Sequence, residues 1–111
     1  MKIKICARKF KVKVVQTIRM DGKNYQGICD HKEKEIVIAA ESCLDPMATF
    51  IHELFHGYVN IVGVDWNGIL TPEYMADLAG SFGAQILFEN GSDVYEKFEE
   101  LFKARVKEME L

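Results

Sequence analysis

A chain of 111 residues, 49% of them hydrophobic, carries enough apolar material for one core, so a single domain over residues 1–111 is expected. Its net charge of −3 and pI near 5.6 argue against a partner bound by neutralising phosphates, and no nucleic-acid role is expected. No run is apolar enough for a signal-peptide core or a bilayer span, and Cys6, Cys29 and Cys43 form neither a paired framework nor a Cys-x-x-Cys site. A reducing cytoplasm, away from any membrane, is the expected location.

Charge is unevenly placed: Lys and Arg crowd the first 34 residues and Glu dominates from Glu89 onward, a pattern read as solvated faces of opposite sign. Phe10, Val12 and Val14 alternate with lysines at period two, Asp21-Gly22 marks a turn, Tyr25 to Cys29 is a weaker strand, and Glu35 to Ala40 reads as a strand. Beyond residue 42 three helices follow. Asp45-Pro46, Thr71-Pro72 and Ser92-Asp93 each put a capping side chain before a first turn, and Gly63 and Asn90-Gly91 stop the first two. The third helix lines Val94, Tyr95, Phe98, Leu101, Phe102, Val106 and Met109 along one stripe, which suits core contact, with a partner-binding face or a lid that lies across a cleft as the lesser readings.

The first helix carries the chemistry. His52 and His56, four residues apart, project roughly 40° from one another around its axis and can hold one ion between them. Glu53 lies roughly 60° beyond His56, on the same side, where it can take a proton from a zinc-held water without binding the metal. Met47, Phe50, Ile51, Leu54, Phe55, Tyr58, Ile61 and Val62 occupy a separate arc and account for the core. The histidines are therefore expected on the opposite, small-residue side with Ala48 and Thr49, free to bind a metal. Zinc needs a third protein ligand and an open position for water. Glu73, 17 residues beyond His56 in the first turn of the next helix, is the candidate if Val64 to Leu70 reverse the chain; Asp77, one turn later, would orient an imidazole from behind. Ala76, Ala79, Gly80, Gly83 and Ala84 would let the second helix pack closely on the first.

His-Glu-x-x-His followed by Glu-x-x-x-Asp resembles the gluzincin zinc peptidases, and Ile28 to Ala79, about half the chain, is most similar to the small ImmA/IrrE-type peptidases and minimal gluzincins. The resemblance implies one Zn2+ held by His52, His56 and Glu73, with Glu53 as general base and Asp77 behind the ligands. It also implies that the strand around Ile36 to Ile38 rims a cleft in which an extended protein or peptide substrate pairs backbone to backbone. Relatives use a later histidine or tyrosine to stabilise the oxyanion. No histidine follows His56 here, so Tyr74 and Tyr95 are candidates by elimination, Tyr58 being on the core arc.

The expected fold is α+β and zincin-like: a small twisted three- or four-stranded sheet packed on the His-Glu-x-x-His helix, with the glutamate helix and a C-terminal helix completing the core. The expected activity is zinc-dependent peptide-bond hydrolysis by a metalloendopeptidase. The alternative is a non-catalytic metal-binding or regulatory protein-interaction module. Nothing in the pattern fixes an oligomeric state or a particular substrate.

Overall fold

A computed structural model describes residues 1–64 and 71–109. The strands are β1 (Lys2–Ile5), β2 (Arg8–Val15), β3 (Ile18–Met20), β4 (Lys23–Tyr25), β5 (Gly27–Asp30) and β6 (Glu35–Ala39), followed by helices α1 (Pro46–Val62), α2 (Pro72–Asn90) and α3 (Val94–Met109). Four strands form one sheet in the order β1-β2-β6-β5, and β3 and β4 form a separate hairpin around Asp21-Gly22. The fold is thus α+β, with helices following strands in the chain.

Alternation explains the sheet. In β2 the period-two pattern buries Phe10, Val12 and Val14 and turns the lysines outward, where Lys13 pairs with Glu35 at 2.8 Å. The charged and apolar alternation at the N-terminus proves to be a strand as well: Ile3 and Ile5 of β1 are buried and pair antiparallel to β2. The weak strand expected over Tyr25 to Cys29 is divided. Tyr25 ends β4 and Gly27 begins β5, so one apparent segment belongs to two sheets.

β6 lies between β2, to which it is parallel, and β5, to which it is antiparallel. Its hydrogen-bonding groups are engaged on both sides, so it cannot form the open rim of a cleft. Among the described residues that position belongs to β5, the edge strand.

The helices cover one face of the sheet. α1 starts at Asp45, whose carboxylate accepts from the Ala48 amide at 3.0 Å, and stops at Gly63, whose φ of 73° is the left-handed closing conformation that glycine permits. Thr71 caps α2 in the same way by accepting from the Tyr74 amide, and Asp93 directly precedes α3. Phe50 of α1 stacks on Phe98 of α3 with ring centroids 4.0 Å apart, and both are fully buried. Val94 and Phe98 make the α3 stripe part of the core cluster, which is the packing role and not the lid.

α2 departs from expectation. Its C-terminal half packs, through Phe82 and Ile86, while Thr71 to Ala79 are exposed apart from a half-buried Leu78. Contact with α1 runs through aromatic rings, Phe82 meeting Phe55 at 5.2 Å and Tyr58 at 5.5 Å. The small residues do not make the close approach predicted for them, since a methyl group added at Gly80 or Gly83 would meet nothing within 4 Å.

Candidate metal centre

His52 and His56 are exposed on α1, one turn apart, with their Nε2 atoms 3.0 Å from each other. Zinc–nitrogen bonds of 2.0–2.1 Å at a tetrahedral angle put two ligand nitrogens roughly 3.3 Å apart, so this pair fits a single ion with a small adjustment. The Glu53 carboxylate completes a group whose ligand atoms lie within 4.8 Å of one another. Three residues of one helical turn and a half therefore could hold a metal ion, and the spacing of the motif is what brings them together.

Glu53 occupies a different environment from its neighbours. It is buried, as are Thr49 and Gly57, and the three form a second packed stripe on α1 beneath β5. This corrects the expectation that the side of the helix carrying Thr49 is free of packing: it is the neighbouring line of Ala48, His52, His56 and Asn60 that remains outside. The packing is tight. A Cβ on Gly27 would lie 2.9 Å from Thr49 Cγ2 and 3.1 Å from Glu53 Cγ, and a Cβ on Gly57 would lie 2.9 Å from Ile5 Cδ1. Glycine at 27 thus lets the edge strand sit directly on the glutamate.

Burial pushes the Glu53 carboxyl above the ordinary carboxylate range, and the nearby imidazoles of His52, His56 and His31 pull it back down. A carboxylate desolvated on one side and facing imidazoles on the other is suited to proton transfer at moderate pH. On the same strand, Cys29 lies beneath the sheet edge and burial pushes its thiol up to about 12, with the Glu53 and Asp30 charges adding to the effect.

Two clefts flank the group along the β5 edge. One, of about 460 Å3, is lined by Gln26, Gly27, Leu44, Asp45, Ala48 and Thr49 together with His52 and Glu53. The other, of about 360 Å3, joins His56 to His31, Val59, Asn60, Gly63 and Val64. No α3 residue lines either one.

The remaining expected site residues lie elsewhere. Glu73 and Asp77 are exposed on α2; at 100° per residue Glu73 points roughly 180° away from Phe82, the residue that faces α1. Among the described residues neither acid joins the His52–Glu53–His56 group. The reversal expected over Val64 to Leu70 falls, after Val64, outside the described residues. Tyr74 is exposed on α2 beside Glu73, and Tyr95 is half-buried in α3 with its ring edge-on to Phe50 at 6.4 Å, on the core side.

Sequence reasoning missed His31 and Gly27. Both carry a signal in retrospect: in Gly27-x-Cys29-x-His31 the strand period places all three on the face that looks onto α1. Among the described residues no helix is long and apolar enough to cross a membrane. No protein-family model matches the chain, and no curated protein or solved structure does so either.

Proposed function

We propose that this chain is a zinc-dependent peptidase of the gluzincin kind, related in architecture to the ImmA/IrrE-type enzymes. The observation that carries the reading is the coincidence of two imidazole nitrogens 3.0 Å apart, a buried carboxylate within 4.8 Å of them, and an open strand edge directly above. A surface histidine pair with no function has no need of a glutamate sealed under a glycine. The alternative, a metal-binding or interaction module, has no use for that carboxylate as a base.

When bound by His52 and His56, zinc would polarise the scissile carbonyl and acidify a water. The protein's own groups do the rest. β5 offers its free backbone edge to an extended peptide, which would lie along α1 with its scissile bond over the histidines. The larger cleft takes side chains on the Gln26 side, where the almost wholly exposed Leu44 supplies an apolar wall. Glu53 receives the proton of the attacking water and passes it to the departing amine nitrogen, while Gly27 and Thr49 hold its chain in place.

The motif resemblance names Glu73 as third ligand with Asp77 behind it; their face of α2 is turned away from α1 in the structure, so Glu73 would reach the ion only if the first turns of α2 rotate toward α1. Zinc retention decides this: Glu73→Ala should lower zinc content measured by elemental analysis after dialysis, and full retention would leave a site built on the two histidines. The central test is Glu53→Gln. It should keep zinc and fold but lower hydrolysis by about 10²–10⁴-fold, read as new peptide termini after incubation with native lysate proteins. Equal partner capture by both proteins, with cleavage by neither, would favour the interaction module.

A further inference from the structure

The reading above leaves one part unfilled, a donor for the oxygen of the scissile carbonyl. Tyr95 is turned into the core and Tyr74 stands on the exposed half of α2. His31 is placed differently. It follows the last residue of β5, on the strand face that looks onto α1, and it shares a cleft of about 360 Å3 with His56.

The turn that carries it is fixed by Asp30, whose carboxylate accepts from the amides of Lys32 at 3.0 Å and Glu33 at 2.9 Å. The ring is oriented by Cys29, whose Sγ lies 3.7 Å from His31 Nδ1. With its pKa pushed up to about 12, the Cys29 sulfur keeps its hydrogen at neutral pH. It can then donate to Nδ1 of a neutral imidazole, which places the ring hydrogen on Nε2; a charged imidazole carries a hydrogen there in any case. With the thiol as donor, Nε2 carries a hydrogen in both states, and the sulfur occupies the opposite side of the ring.

We propose that His31 is a catalytic residue that donates its Nε2 hydrogen to the oxygen of the substrate carbonyl as that oxygen gains negative charge over the His52–His56 pair. The proton stays on nitrogen throughout, so the contribution is a hydrogen bond that strengthens in the transition state. Cys29 acts through His31 as a positioning residue. The proposal rests on the peptidase reading and assigns the oxygen-binding side of its cleft to the edge strand, upstream of the metal-binding helix.

The test uses the full chain, zinc-loaded, as wild type, His31→Ala, His31→Gln and Cys29→Ala. A peptide cleaved by wild type is first selected from a mixed peptide library by mass spectrometry. Zinc affinity is measured in parallel by chelator competition, and folding by thermal melting. His31→Ala should lower kcat by about 10²–10³-fold with little change in KM, the scale of one lost oxyanion donor. Zinc affinity and melting temperature should be unchanged. His31→Gln, which retains an N–H donor, should recover part of the loss, and Cys29→Ala should show a smaller loss in kcat alone. Unchanged kcat in His31→Ala overturns the proposal. A loss of zinc affinity along with activity also overturns it, by making His31 a ligand. No cleavage by zinc-loaded wild type overturns the peptidase reading itself, which the other outcomes leave standing.

Discussion

The two edges of the four-stranded sheet are treated in opposite ways. At the β1 edge, Asn90 at the end of α2 behaves as a short piece of strand: its Oδ1 accepts from the Lys4 amide at 2.7 Å and its Nδ2 donates to the Lys4 carbonyl at 2.8 Å. Glu89 adds a bond from the Ala7 amide at 2.6 Å, in a turn where Cys6 and Ala7 both take left-handed φ values of 49° and 65°. At the β5 edge the strand pairs with β6 on one side, Gly27 rests on Glu53, and the clefts along the strand are lined by His52 and His56. Among the described residues one edge is closed by side chains and the other stands beside a group that could hold a metal ion, which on the proposed reading is where a peptide would add. The same contrast divides α2, whose C-terminal half seals the closed edge while its first two turns, with Glu73 and Asp77, stand in solvent.

The largest effect should come from filling the space at the open edge. Gly27→Val places methyl groups against Thr49 and Glu53 where even a Cβ would be 2.9 and 3.1 Å away. It should cost about 1–3 kcal/mol of stability by overpacking, seen in denaturant melts. On the proposed peptidase reading, activity should fall further than stability does, because Glu53 is displaced. Equal stability and activity would mean that β5 does not rest on the glutamate.

A smaller loss is expected at the closed edge. Asn90→Ala removes both bonds to Lys4 in a partly exposed setting and should cost about 1 kcal/mol, or roughly 4 °C in melting temperature for a chain this short. On the proposed reading, zinc affinity should not change. A loss of zinc in this variant would show that the two edges are coupled through the sheet.

The thiols give the mildest test. Burial pushes Cys29 from an ordinary value near 9 up to about 12, so the protonated thiol is favoured by folding. That stabilisation is fully present below pH 9 and is lost as pH rises from about 9 towards about 12. Melting temperature should therefore fall more steeply over this range for wild type than for Cys29→Ala. At neutral pH Cys29 should alkylate with iodoacetamide more slowly than Cys6, where burial and the Glu89 charge raise the thiol but Arg8 opposes them. Rapid labelling of Cys29 would mean that the open edge admits solvent beneath β5.

The sequence by itself determined the features that depend on neighbours within one turn or one strand. The helix starts at Asp45 and Thr71 are local hydrogen bonds, the Gly63 stop is a backbone preference, and the pairing of His52 with His56 follows from helical pitch alone. The β2 and β6 strands were legible because burial on one face imposes a period of two. What only the tertiary structure decided were the long-range matters: that β5 and not β6 is the open edge, that Thr49, Glu53 and Gly57 form a second buried stripe, and that His31 comes to the side of His56. Strand order leaves no mark on periodicity, since an edge strand and its neighbour alternate alike. The placement of Glu73 is of the same kind. Its spacing from Asp77 fixes a shared helical face, but which way that face turns is set by Phe82 packing on Phe55 and Tyr58, a contact between residues distant in the chain.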